Sequence, residues 1–539
     1  MGSESIAFDP EHKNKAYLIA TLIGSTLLLS VNLLLPLSWD NEIFQSMAMD
    51  LFRFHRLPYL GSWAHDLPGT VYVHWFSIVI FGDSALGFRT FDLLLHLAMS
   101  WMFYGILRRW LTPRTACLAV LLSNLRYISY GYWLAGQRDE FAMFFLLLGV
   151  LLLFKIADSE TSPFYRELLA FCAGVSLAMM PTMRITYGLF VIVGVVFLWM
   201  PRQSLRSTVL PYLAGATAVL LALIVPYLLV PGGLEQAYLA CIAFNAQIYG
   251  EIRTPFDFLF RQLAIQKLYF LAGLLGMVVT VIPILRQNPR IRSAIEGTQR
   301  LRFDERVLII GISIASIISI AVMGKFMPYH FNPLMLVVIP FAALAIDGIV
   351  RAMPYPILKA AVILFLLGYA ILRIFPQQLI GPYLVNIRTG VPHPIKAAQD
   401  LMVPEIDFRK SVEENVASYI DRTASPGEPF EAATLTAGIR LRTPRMSATR
   451  FTTFWPLSLP SPKGEHPAFQ QLWRKEYIDS LLSVRPYYLV IGNGPMEVLK
   501  WVKETPLQCI HEIPGFDSLV FPRYALDTVI GGYWIYRRK

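Results

Sequence analysis

Apolar runs long enough to cross a bilayer recur along the first 375 residues of this 539-residue chain. A membrane helix needs about 17–25 such residues, because in lipid each backbone N–H and C=O must be satisfied within its own segment. Runs near 16–37, 87–107, 115–131, 140–157, 167–181, 185–200, 208–230, 263–285, 306–323, 331–350 and 355–375 are expected spans, about eleven in all. Between 167 and 200, Pro181 and Arg184 interrupt the pattern, and a buried helical pair is the alternative there. The composition agrees: 55% of residues are hydrophobic and only 16% charged.

Short loops rich in Lys and Arg mark the cytoplasmic side of a membrane protein. Arg108, Arg109 and Arg114, then Lys155 and Arg166, Arg202 and Arg206, and the cluster Arg286, Arg290, Arg292, Arg300, Arg302 and Arg306 fall on one side. The loops 38–86, 132–139, 231–262 and 324–330 fall on the other. An odd number of spans then leaves the N-terminus cytoplasmic and the C-terminal region outside. The formal charge of +10 is read as a topology signal and not as a nucleic-acid surface. The first apolar run is long and ends in LLLPLSWDNE without a small-residue cleavage site, so it is expected to stay as an anchor. Cys117, Cys172, Cys241 and Cys509 have neither zinc-site nor disulfide-framework spacing and are expected to be small buried hydrophobes.

From about Phe375 the long apolar runs stop. PFEAATLTAG (429–438) and PYYLVIGN (486–493) are expected strands. SVEENVASYIDRT (411–423) and AFQQLWRKEYIDSLLSV (468–484) carry apolar residues at helical spacing. This alternation predicts a soluble α/β domain over 376–539 on the outer, periplasmic face, after a membrane domain over 1–375. The stretch 391–410 is expected to be a Pro-bearing connector.

The loop 38–86 concentrates the chemistry. Asp40 follows the first span. Ile43, Phe44, Met47, Ala48, Leu51 and Phe52 then share one face of an expected helix in the interface plane. Asp40 can cap that helix or act as a base; one carboxylate oxygen is free for each role. A turn with Arg53, Arg56, Pro58 and Tyr59 follows, then His65 and Asp66 before Pro68–Gly69. Arg89, near the outer end of the second span, either snorkels to headgroups or contacts a phosphate.

The order of these features, an acidic residue after the first span, a Pro–Tyr turn, a His/Asp–Pro–Gly turn and then FGDSALGFR, resembles the GT-C superfamily of membrane glycosyltransferases. The nearest groups are the protein O-mannosyltransferases and the lipid A aminoarabinose transferases. The motifs cover roughly the first two hundred residues; beyond them only the architecture is similar. The resemblance implies a polytopic α-helical membrane protein with a C-terminal α/β domain, and a sugar donor carried on polyprenyl phosphate. It implies that Asp40 is the general base, with Glu42 close by, and that Asp139 is the acidic residue of the second outer loop.

Other polar residues lie at membrane edges, where ionisable groups are costly unless paired or solvated. Arg138, Asp139 and Glu140 open the fourth span; the helix dipole favours acids there in any case. Arg184 needs an anionic partner, with Asp139 and a lipid phosphate as candidates. Lys325, Tyr329 and His330 in GKFMPYHFNP make a phosphate cradle or an interface anchor. Glu235, Asn245, Gln247, Tyr249, Glu251, Arg253 and Asp257 in the loop 231–262 are sugar contacts or a solvated loop.

The chain has no HExxH, P-loop, GxSxG or Rossmann signature, and the absence of an N-x-Ser/Thr sequon favours a bacterial inner-membrane protein. These features predict an inverting transfer from a polyprenyl-phosphate-linked sugar to a hydroxyl of an envelope glycan, lipopolysaccharide, lipid or protein. Arg138, Arg184, Lys325, Tyr329 and His330 would meet the donor phosphate. Glu42, Arg53, Arg56, Tyr59, His65, Asp66 and Arg89 are further site candidates. No cofactor is required; a divalent metal bridging Asp40 and Asp139 is the alternative. A transporter or flippase of a polyprenyl-linked glycan is the competing class, and a non-catalytic envelope scaffold a third.

Overall fold

The computed structural model describes residues 10–158, 162–199, 205–281, 302–374, 380–390, 392–402, 409–494 and 505–539. Arg202, Arg286, Arg290, Arg292 and Arg300 lie outside the described residues, as does the side chain of Arg206. The chain folds into two compact units. The first holds residues 1–33, 89–221 and 254–378. The second holds 34–88, 222–253 and 379–539.

The expected number of spans, about eleven, is corrected by the structure. Among the described residues, six helices are long and apolar enough to cross a membrane: Asn14–Leu34, Ala85–Leu107, Arg138–Asp158, Ser207–Leu228, Phe303–Met323 and Pro328–Ala352. Phe256–Ile265 and Lys267–Val278 make a seventh if the 72° bend between them is counted within one span. The other runs fall short for separate reasons. Pro113–Ile128 has 16 residues and carries Asn124 and Arg126. Pro163–Met183 begins with Arg166 and Glu167 and contains Pro181. Ile185–Leu198 is short. Pro356–Ile374 is helical, but several of its side chains lie outside the described residues.

In the first unit, polar side chains tie helices together where the solvent offers no hydrogen bonds. The Asn124 amide donates to Ser25 at 2.8 Å and Ser100 at 2.9 Å, joining three helices. The helices Lys267–Val281 and Asn332–Ala352 pack closely at Gly276, where a Cβ would lie 2.0 Å from the Phe341 carbonyl oxygen. Asp347 accepts from Thr115 and Arg351, each at 2.7 Å.

In the second unit, a mixed four-stranded sheet has the order β1-β2-β4-β3, with β1 Phe430–Ala433, β2 Tyr488–Gly492, β3 Tyr524–Ile530 and β4 Tyr533–Arg538. β1 and β2 are parallel; β4 is antiparallel to both β2 and β3. Alternation along β2 splits its side chains between two cores. Leu489 and Ile491 pack with Trp473, Tyr477 and Leu481 of the helix Ala468–Val484. Tyr488 and Val490 pack with Val416 and Ile420 of the helix Lys410–Thr423. Both expected strands and both expected helices are present. The hairpin β3–β4 had no sequence expectation; it turns at Gly531, whose φ is 57°. Within the expected connector, Pro394–Met402 is a helix, and 403–408 lies outside the described residues.

Candidate active site

The helix Trp39–Phe54 carries Asp40 in its first turn. Its cap is Ser38, whose hydroxyl accepts the Asn41 N–H at 3.4 Å. The capping role considered for Asp40 therefore belongs to Ser38, and Asp40 stands half-buried one residue into the helix. Of the face expected to lie in the interface plane, Phe44, Met47 and Ala48 are instead buried against Ala64, Val71 and Ile78, Ile43 and Leu51 are half-buried, and Phe52 is exposed; the polar residues Asn41, Glu42, Gln45 and Asp50 are buried as well. They meet protein rather than water. Glu42 pairs with Lys410 at 2.7 Å and Arg442 at 2.9 Å, and Arg442 also meets Glu413 at 3.1 Å. Asp50 pairs with Arg440 at 2.6 Å. Burial pushes the Glu42 carboxyl up, but Lys410 and Arg442 outweigh it and hold it below the usual carboxylate range.

The turn after this helix is held from several directions. His55 and Tyr59 have φ of 53° and 70°, an uncommon conformation for bulky residues. The Tyr59 carbonyl accepts from Arg450 at 2.6 Å, and its hydroxyl donates to the Asp66 carbonyl at 2.5 Å. Asn245 donates to the His65 carbonyl at 2.6 Å, and Tyr249 lies 4.1 Å from the His65 ring. Thus two residues of the loop 231–262 brace the turn. His65 and Asp66 approach to 3.7 Å. Arg53 pairs with Asp83 at 2.8 Å, and Arg56 donates to the Met446 sulfur at 2.9 Å. His55, Arg56, Arg450 and Glu476 border an open cavity of about 480 Å³.

The first unit gathers the remaining candidates. Asp139, at the head of the helix Arg138–Asp158, is fully buried. Arg184 closes on it with Nε and Nη2, both at 2.8 Å. Tyr187 donates to the same carboxylate. A planar guanidinium meeting a carboxylate through two bonds is the strong form of such a pair. Arg184 exists in this position because Pro163–Met183 ends there, its backbone extended with φ −151° and ψ 116°. Arg184 also stacks over the Tyr329 ring at 5.7 Å, and that ring meets His330 edge-on at 4.8 Å. Arg138 stands 4.0 Å from Asp139. The charges of Arg184, Arg138 and Lys325 all bear on His330, and Lys325 and His330 are both buried. Arg138, Asp139, Arg184, Lys325, Tyr329 and His330 therefore form one group.

Arg89 is fully buried and donates to the Ala135 carbonyl at 2.9 Å, with Asp92 at 3.9 Å. It orders the 132–137 turn rather than reaching outward.

Sequence reasoning missed a second polar group behind the first. Arg126 donates to Gln266 (3.1 Å), Asn332 (2.7 Å) and the Pro328 carbonyl (3.1 Å). Asn332 donates in turn to Glu140 at 2.6 Å. Asp92 accepts from Tyr127 at 2.7 Å, and His96 stacks on Tyr127 at 3.8 Å. The signal was present as Arg, Asp and His at 89, 92 and 96, and as Arg126 inside an apolar run. Arg138 and Arg184 face Asp139, Arg126 reaches Glu140 through Asn332, Arg89 lies by Asp92 and Lys325 bears on His330, so cations outnumber carboxylates in this region. Among the described residues, no three His, Cys, Asp or Glu side chains gather as a metal site.

Residues 65–229 match the family model described as dolichyl-phosphate-mannose-protein mannosyltransferase. The fold is similar to that of ArnT from Cupriavidus metallidurans bound to undecaprenyl phosphate, with 15% identity, TM-score 0.53 and 97% of each chain covered. The apo form of that protein gives 14% identity, TM-score 0.53 and coverage of 97% and 98%. Arabinofuranosyltransferase AftD from Mycobacteria gives 14% identity and TM-score 0.52, over 97% of this chain and 41% of that one. A comparison with curated protein sequences gave no match. At these identities the likeness to the solved structures is one of fold.

Proposed function

We propose that this chain is a glycosyltransferase that moves a sugar from a polyprenyl-phosphate carrier to an acceptor hydroxyl. The observation that carries the reading is the buried group of Arg138, Arg184, Lys325 and His330 around Asp139. A polyprenyl-phosphate sugar is a phosphodiester with one negative charge. When the anomeric C–O bond breaks, the carrier leaves as a monoester with two. A site with positive charge in excess favours the departing group over the bound donor, which is how binding energy lowers a barrier.

In this reading Asp40 takes the proton of the acceptor hydroxyl as its oxygen attacks the anomeric carbon. The carrier phosphate leaves from the opposite face, so the anomeric configuration inverts. Base catalysis of this kind contributes about 10²–10⁴-fold. Asp139 holds Arg184 in place and keeps it charged. The Tyr329 ring lies over the guanidinium at 5.7 Å. The other first-loop candidates, Glu42, Arg53, Arg56, Tyr59, His65 and Asp66, shape the acceptor side. The chain would sit in a bacterial inner membrane, and among the described residues counting the bent pair as one crossing gives seven spans, the odd number that puts the N-terminus in the cytoplasm and the C-terminal α/β domain in the periplasm. The cations suffice for the phosphate without a metal.

Asp40→Asn tests the assignment of the base. Donor binding should persist while transfer of radiolabelled sugar is lost. Undiminished transfer by the variant would remove Asp40 from that role.

A further inference from the structure

We infer that Arg126 is a positioning residue that fixes the turn bearing Lys325, Tyr329 and His330 against the head of the helix Arg138–Asp158. The inference rests on the donor-phosphate reading of that turn.

Arg126 is buried at the end of the helix Pro113–Ile128. Each of its three guanidinium nitrogens donates to a different place. Nε reaches Gln266, at the 72° bend between Phe256–Ile265 and Lys267–Val278. Nη2 takes the carbonyl of Pro328, inside the cation turn. Nη1 takes Oδ1 of Asn332, the first residue of the following helix. The planar fork fixes all three directions at once, which a lysine cannot do.

Arg126 and Glu140 are not bonded directly; Asn332 relays between them. Its carbonyl oxygen accepts from Arg126, and its amide donates to Glu140 Oε1 at 2.6 Å. Glu140 is the chain neighbour of Asp139, which holds Arg184. The cation turn is thereby tied to the backbone that presents Asp139 and Arg138. A cavity of about 30 Å³ beside Arg126, Glu140, Asn332 and His96 is large enough for a water molecule. Arg126 lies behind the phosphate-binding side chains and acts through them. Groups that support binding side chains in this way set their geometry, and a displacement of about 1 Å can cost about 100-fold.

The relay has a direction that can be reversed. Asn332→Asp places a second carboxylate against Glu140 and removes the donor. Combining it with Glu140→Gln restores a donor, now on the glutamine amide and facing the introduced carboxylate, and returns the group to one negative charge. The experiment compares wild type, Asn332→Asp and the double variant as full chains in nanodiscs. Amide hydrogen exchange is read between Lys325 and Phe331, and binding of undecaprenyl phosphate is measured alongside. Asn332→Asp should speed exchange in that segment and weaken binding by about 10-fold or more, and the double variant should recover most of both. Arg126→Lys serves in the same way if Asn332→Asp fails to fold. Exchange and affinity at wild-type values in the single variant, or no recovery in the double, would overturn the inference. A wild-type protein that binds no undecaprenyl phosphate counts against the donor reading instead, and the exchange comparison still decides the positioning role.

Discussion

Arg184 meets Asp139 side-on, with Nε on Oδ1 and Nη2 on Oδ2 at 2.8 Å each. The pair links the end of one helix to the head of another, and it places a guanidinium where Tyr329 and His330 gather. A buried ion pair contributes little net stability when intact, but removing one partner strands the other.

Asp139→Asn should therefore destabilise the protein by about 3–5 kcal/mol as well as abolish transfer. Thermal unfolding in detergent reads the first effect and label transfer the second. A variant with the wild-type midpoint would mean that the pair is not buried as described.

Lys325→Gln removes one buried cation from the proposed phosphate group. The expected result is a fall in kcat of about 10²–10³-fold, read from steady-state kinetics.

In the cluster of Glu42, Lys410, Arg442 and Glu413, Glu42 is the acid-sensitive member, while burial and the Glu42 charge push the Glu413 carboxyl up. Glu42 is held below its ordinary value of about 4.3 by the two cations. A depressed carboxylate stabilises the fold above that ordinary value, and the contribution is lost as pH falls through the lower folded value. Glu42→Gln removes it at every pH. The two proteins should differ most near neutrality and converge in acid. Melting curves from neutral pH to below pH 4 check this, and a difference that widened in acid would contradict it.

Two glycines provide a packing contrast. Gly276→Ala forces a Cβ to 2.0 Å from the Phe341 carbonyl oxygen, while Gly105→Ala meets nothing within 4 Å. The first should cost about 1–3 kcal/mol. The second should be neutral or slightly stabilising, because alanine loses less backbone freedom in a helix. Equal midpoints for the two variants would argue against the close approach of those helices.

The sequence was most legible where chemistry and position conflict. Asp139, Arg184 and Lys325 stand out because charges at the ends of apolar runs need partners, and the structure groups them. The strands around Ala432 and Val490 were legible because short apolar runs flanked by Pro and Gly have few other solutions. The span count was not legible. Pro113–Ile128 falls short of membrane length and carries Asn124 and Arg126, details that the apolar run around it hides from a hydropathy reading. Nor could it find the partners of Glu42. Arg442 lies 400 positions away and Lys410 is in the same distant segment, where Lys and Arg are common and any one of them looks solvated. Asn332 was invisible for a related reason: its role needs Arg126 on one side and Glu140 on the other.

The central claim is that sugar leaves a polyprenyl-phosphate carrier and arrives on an acceptor. The most direct test reconstitutes the purified protein in lipid vesicles with radiolabelled polyprenyl-phosphate sugars and envelope extract, and follows both the label and the carrier. The account predicts label on an acceptor, with one polyprenyl monophosphate released for each sugar moved. Label that stays on its carrier, whether in place or carried across the bilayer, would contradict the account and favour a flippase.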